Sequence, residues 1–287
     1  MKKFFALLCL LAAAPFVQAQ ADFGFGNRQG FIGDILDRMN RAFDSAEPTL
    51  ADAHYLGRAV AAHIFTMYRP YTGNPELTRY VNKILQTLVI NSSRPVPFRT
   101  YSAVILDSDG FNAFATPGGH IFITRGFVEA ARTEDMLAAV LAHELAHIIL
   151  DHGMEMISTM AFSAEAAEAA NRAAGFAGGS SDAVRLMGFR DSVAGIVDTM
   201  VRTGYSRAQE FAADREAVAI LAAAGYNPRA LLEVLEVLRR EQPSRSDGFF
   251  ATHPPPADRI ANAETAVNRH RVADTGVHRQ SRFSGMR

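Results

Sequence analysis

A mainly helical α+β fold with one small antiparallel sheet is what the sequence predicts, and three features predict it. Apolar residues recur at helical spacing through 50–68, 76–89, 133–152, 207–224 and 231–240. Between them, residues 98–124 change to short β-branched and aromatic runs, broken by Asp107-Ser108-Asp109-Gly110 and by Pro117-Gly118-Gly119. The apolar fraction of 48% and charged fraction of 21% over 287 residues suit a globular chain with one good-sized core.

The elements follow in order. Lys2 and Lys3, the apolar run 4–17 and the small residues Val17 and Ala19 make 1–19 a cleavable signal peptide, and so predict a periplasmic protein. The lone cysteine, Cys9, lies inside it, so the mature chain has neither disulfide nor thiolate ligand. Cleavage removes two of 29 basic residues and none of 30 acidic ones, and 27 − 30 leaves a charge of −3. That excludes nucleic acid as a main partner, since phosphate binding needs a basic surface. No apolar span follows the signal, so no integral membrane segment is expected after cleavage.

Residues 20–48 read as a partly loose segment with a short amphipathic helix on Phe31, Ile35, Leu36 and Met39. The domain proper is expected over 49–270, with strands at 100–106, 111–116 and 120–124. Thr133 is the expected N-cap of the central helix, with Glu134 and Asp135 at the positive end of its dipole. Gly225, with Pro228 just beyond, ends the next long helix. Residues 154–205, rich in Ala, Gly, Ser and Met, read as two helical arms around a tip at Gly175, Gly178 and Gly179. Residues 271–287 are expected to be disordered.

His143-Glu144-Leu145-Ala146-His147 carries the chemistry. Positions i and i+4 share a helix face, so two imidazoles can hold one Zn2+ at ~2.0–2.1 Å. Glu144 emerges beside the metal without binding it, placed to take a proton from a bound water and pass it to a leaving amine. The neighbours Leu141, Ala142, Leu145, Ala146, Ile148 and Ile149 make this helix a buried one, and burying two histidines and a glutamate demands compensation that a metal supplies. A third ligand is sought in Glu210-Phe211-Ala212-Ala213-Asp214, where Glu210 would bind and Asp214, one turn on, would orient a ligand histidine. His152, five residues past His147, is expected to point away as a helix-end residue. His54 has no ligand-like neighbour in sequence.

Four segments together, HELAH (143–147), EFAAD (210–214), Asn112-Ala113-Phe114-Ala115 with Pro117-Gly118-Gly119, and Thr252-His253-Pro254-Pro255 with Arg259-Ile260, resemble metallopeptidase family 48. This is the family of the CAAX prenyl protease and of HtpX- and BepA-like proteases. The resemblance implies a gluzincin-type zincin domain whose active-site edge strand is 120–124. His120, Ile121 and Phe122 would then add a substrate strand by backbone hydrogen bonds, and Asn112 would hold the substrate backbone. It also implies that His253 and Arg259 lie by the metal, one touching the water or oxyanion and the other orienting it. His253, held in a rigid His-Pro-Pro segment, is a candidate fourth ligand that blocks the resting site. The expected member is a stand-alone periplasmic one without a helical-repeat domain, its insertion 154–205 covering the cleft as a lid. The expected activity is endopeptidase cleavage of misfolded or unassembled envelope proteins in extended form, with the outer-membrane assembly machinery as a candidate partner. A chaperone using the same cleft is the alternative, and a hydrolase of small amides or cell-wall peptides a weaker one.

Overall fold

The structure, a computed structural model, describes residues 49–96, 98–159, 194–199, 204–241, 253, 256–270 and 276–286. The signal peptide, the segment 20–48 and the Gly-rich tip of the insertion lie outside the described residues.

Helix α1 (Leu50–Met67) opens on a capping box in which the Asp52 amide donates to Thr49 Oγ1 (3.2 Å) and the Thr49 amide donates to the Asp52 carboxylate (2.9 Å). Helix α2 (Pro75–Ile90) has Asn74 as N-cap and Pro75 in its first turn, where a missing N–H costs nothing. Three strands follow: β1 (Ser102–Leu106), β2 (Ala113–Thr116) and β3 (His120–Thr124). Helix α3 (Arg125–Ala130) leads into α4 (Glu134–Ile149), capped by Thr133 through the Met136 amide (3.1 Å). Residues 152–159 and 194–199 are helical. Helix α5 (Arg207–Ala223), with a Ser206/Gln209 capping box, is followed by α6 (Arg229–Glu241), α7 (Pro256–Val267) and α8 (Gly276–Ser284).

The sheet is mixed, not antiparallel. Its order is β1-β3-β2, with β1 parallel to β3 and β2 antiparallel to it. Pro117-Gly118-Gly119 turns β2 back onto β3, while the chain from β1 crosses to the far edge. Gly118 (φ +76°) and Gly119 (φ +116°) adopt left-handed backbone, and a Cβ on Gly118 would meet the His54 backbone at 2.3 Å, so both positions need glycine. Strand β3 is therefore the centre and β2 an edge, which corrects the expectation that 120–124 is the edge strand. The reason is the crossover: β1 takes the side of β3 that an antiparallel meander would have left open.

Residues alternate between two cores, as a period of two requires. Ala103, Ile105, Ala113, Ala115, Ile121 and Ile123 face a large core shared with α2, α4, α5, α6, α7 and α8. Leu106, Phe114 and Phe122 face a smaller one, closed by α1 and by Met154, Ile157, Ile196 and Val197 from the two helical arms. With both faces covered, the strands are mostly apolar on both sides and alternation is hidden in the sequence. Helix α4 is buried on nearly every side, which only a helix running through the core can be.

The tail expectation is also corrected. Helix α8 buries Phe283 completely against Tyr80 and pairs Arg279 with Asp135 (3.0 Å). Among the described residues, no helix is long and apolar enough to cross a membrane.

Candidate metal centre

Helix α4 presents His143 and His147 one turn apart, and α5 crosses it with Glu210 and Asp214 one turn apart. The segment before α7 adds His253, and α7 adds Arg259. All six are buried, as is Glu144. Ligand atoms of His143, His147, Glu210 and His253 lie within 4.8 Å of one another.

The geometry suits a shared cation. His143 Nε2 is 3.1 Å from His147 Nε2, 3.4 Å from His253 Nδ1 and 3.5 Å from Glu210 Oε2, and His147 Nε2 is 3.3 Å from Glu210 Oε1. Atoms each ~2.0–2.1 Å from a tetrahedral centre stand roughly 3.3 Å apart, close to these four separations, two of which reach different oxygens of Glu210. The fifth, His253 Nδ1 to Glu210 Oε1, is a 2.7 Å hydrogen bond.

Charge points the same way. Three buried carboxylates (Glu144, Glu210, Asp214) face one buried guanidinium (Arg259), an excess of negative charge that a cation would offset. Burial and the Arg259 charge oppose protonation of His143, yet hydrogen bonding to Asp214 and Glu210 carries its pKa up to about 9. A nitrogen that basic between two carboxylates is a place a cation would take. Burial alone would raise Glu210, but the charges of His253 and Arg259 and the hydrogen bonds of His143 and His147 hold it well below the usual carboxylate range. Burial dominates at His147, pushed down to about 3 and so neutral, the form that coordinates.

Around these atoms lies a supporting layer. His143 turns Nδ1 toward Asp214 (3.1 Å). Arg259 donates to Asp214 through Nε (2.8 Å) and Nη2 (2.6 Å), and its Nη1 sits 2.9 Å from Glu210 Oε2. Arg259 thus ties a candidate ligand to the residue that orients another; it lies by the cluster, as the resemblance implies, and faces the carboxylates of α5. Tyr205, at the end of the insertion, stacks on His147 with ring centres 4.0 Å apart and planes at 17°.

Glu144 is less well paired than the other carboxylates of the cluster. Among the described residues neither of its buried carboxylate oxygens has a hydrogen bond, and His253 Nε2 lies 3.6 Å from one of them. Burial raises its pKa. An ionisable group held unsatisfied beside a metal-ligand set is poised to exchange a proton.

The substrate residues divide. Strand β3 spends its backbone on β1 and β2, so His120, Ile121 and Phe122 have no free edge on which to add a strand. Edge strand β2 lies against α4, and Ala115, Thr116 and Pro117 line a small cleft with His147, Gly153 and Tyr205. His120 is instead buried beside Ser102 (3.2 Å) and His54. Asn112 ties its backbone to Thr124 (2.9 and 3.0 Å), while its Oδ1 has no hydrogen bond among the described residues.

The match to known proteins is consistent with this geometry. Residues 75–267, which carry every ligand candidate, match the profile of peptidase family M48. The chain belongs to peptidase family M48. It is 27% identical over 205 residues to the beta-barrel assembly-enhancing protease of Escherichia coli, covering 70% of this chain and 41% of that one. The Yersinia pestis protein of the same name is 27% identical over 231 residues, covering 76% and 44%. The metalloprotease LoiP of Escherichia coli is 26% identical over 187 residues, covering 65% and 69%. The chain thus spans about two fifths of the length of the assembly-enhancing proteases and carries the family's metallopeptidase domain.

Two contributors escaped the sequence. Tyr205 had no motif to mark it. His152 returns to His147 because α4 stops at Ile149, and a continuous helix would have carried it away.

Proposed function

We propose that this M48 member is a zinc endopeptidase of the periplasm, cleaving unfolded or extended segments of misfolded or unassembled envelope proteins. The observation that carries this is Glu144 buried beside a four-residue ligand set. His143, His147 and Glu210 would hold the zinc, and His253 is a fourth candidate. Bound there, zinc would polarise the scissile carbonyl and acidify a water. Glu144 then accepts a proton on its free carboxylate and returns it to the leaving amine nitrogen, a task for which its raised pKa suits it. Strand β2, the end of the sheet next to the site among the described residues, is where a substrate strand would add, which favours extended backbone over any particular side chain. The periplasmic setting rests on the N-terminal sequence and, like the link to outer-membrane assembly, on the names of the relatives.

His253 refines the proposal. Its Nδ1 sits where a fourth ligand would, so at rest it blocks the position a water needs. His253→Ala should then raise the rate of casein cleavage; an unchanged or abolished rate counts against self-inhibition. The same blocked geometry favours the second reading, a chaperone that holds substrate with its metal masked. Cleavage of an unfolded protein that stops on chelation and returns with zinc would support the endopeptidase. Binding without cleavage, in both wild type and His253→Ala, would support the chaperone.

A further inference from the structure

A helix advances 100° per residue, so His152 in an unbroken α4 would stand about 140° away from His147. It stands instead with its Nδ1 2.9 Å from His147 Nδ1. The break responsible is at Asp151, which has φ +56°, the only described residue other than glycine in left-handed backbone. Helix α5 makes the corresponding turn with Gly225 (φ +76°), closed by hydrogen bonds from the Gly225 amide to Ala222 O (3.2 Å) and from the Tyr226 amide to Leu221 O (2.9 Å). At the end of α4 a side chain stands where glycine would be easier, by roughly 1–2 kcal/mol for most residues. That side chain is used: the Asp151 carboxylate receives Arg94 Nη1 (2.8 Å) and Nη2 (2.7 Å), and the Arg94 carbonyl accepts from Tyr101 (3.1 Å).

We propose that Asp151 and Arg94 form an elbow that swings His152 back to act as the positioning residue for the metal ligand His147. The proton logic fixes the roles. His147 turns Nε2 into the ligand cluster, so Nε2 must be bare and Nδ1 must carry the hydrogen. That hydrogen lies on the line to His152 Nδ1, which therefore accepts and holds its own proton on Nε2. His143 makes the equivalent contact through Nδ1 to the carboxylate of Asp214 (3.1 Å), so the two ligand histidines are oriented by different chemistries. The elbow is packed close: a Cβ on Gly153 would meet the Pro117 ring at 3.1 Å, so glycine lets the returning chain lie against the end of β2. With Tyr205 on its face and His152 on its edge, the His147 ring is fixed in both tilt and rotation.

This inference rests on the zinc reading, and the experiment separates the two. Zinc affinity, measured by competition with a chromogenic chelator, should weaken roughly 10–100-fold in His152→Leu, as loss of a ligand's outer partner does. His152→Asn, whose amide oxygen can stand in for Nδ1, should recover to within about threefold of wild type. Asp151→Gly should keep the turn and the affinity, whereas Asp151→Val should lose about as much as His152→Leu. A His152→Leu variant that binds zinc like wild type overturns the proposal. Independently of any variant, 15N imidazole NMR of the wild-type chain should find the hydrogen on Nδ1 of His147 and on Nε2 of His152. The reverse assignment overturns the dyad even if zinc binds tightly, while a wild-type chain that takes up no zinc overturns the metal reading and, with it, the purpose assigned to the elbow.

Discussion

Helix α4 buries two glutamates, and it treats them in opposite ways. Glu134, in the first turn, accepts from the hydroxyls of Tyr80 and Tyr226 (the latter at 2.9 Å) and lies 3.5 Å from Arg282. It also sits at the positive end of the helix dipole. Glu144, ten residues on, has no hydrogen bond among the described residues. One carboxylate is satisfied by two tyrosine hydroxyls and anchors α4 in the fold. The other lies beside the ligand set with His253 Nε2 at 3.6 Å, placed to take a proton from a water. The contrast separates structure from chemistry on a single helix.

Chelation tests the metal end most strongly. Removing zinc should abolish cleavage and lower stability by about 4 kcal/mol if the ion had been present at a thousand times its dissociation constant. Thermal melts with and without chelator check this, and an unmoved melting temperature would deny the cluster its ion. Acid is a second probe, directed at the buried His120. Burial first, then the neighbouring His54 and Arg58 charges, push His120 down to about 3, against an ordinary value of ~6.5. Between those values the unfolded chain binds a proton that the folded chain refuses. His120 should therefore lower stability as pH drops from ~6.5 toward 3, by at most ~5 kcal/mol, and have no effect above. Urea unfolding across that window measures it, and His120→Gln should remove this share of the slope, leaving that of His147, which is held near the same value.

Arg259→Leu leaves Glu210 and Asp214 buried without their guanidinium and should cost about 3–5 kcal/mol. A loss under ~1 kcal/mol would mean the carboxylates are balanced by the metal alone. Glu134→Ala should be milder, about 2–4 kcal/mol, from two tyrosine hydroxyls left without their acceptor. Specific activity per folded molecule should stay near wild type, because the damage lies at the far end of α4. A selective loss of activity at full stability would break the contrast.

Much of this was legible in the sequence, and the failures have physical causes. Apolar spacing placed α2 and α5 within a residue or so, and Gly225 marked the end of α5 because a left-handed turn residue acts locally. HELAH and EFAAD are pairs at helical spacing, so each could be read as one face, and the structure sets those faces against each other. Strand order was not legible, because a parallel partner arrives by crossover and leaves no turn signal. The tail misled because α8 is mostly polar and held by a few long-range contacts, Phe283 and Arg279 chief among them. Helix α7 hid behind its prolines: the Pro254-Pro255-Pro256 run marks a break, and also supplies the residue that starts the helix. His152 was misjudged by assuming a straight helix past Ile149, when a positive φ at Asp151 reverses the direction its neighbour takes.

The central claim is that Glu144, buried beside the ligand set, is the base, and Glu144→Gln tests it most directly. Zinc content, melting temperature and casein cleavage should be measured on the same preparation. The account predicts one zinc per chain, a melting temperature equal to or above wild type, and cleavage reduced roughly 10²–10⁴-fold. A variant that cleaves at the wild-type rate, or that loses its zinc, would contradict it.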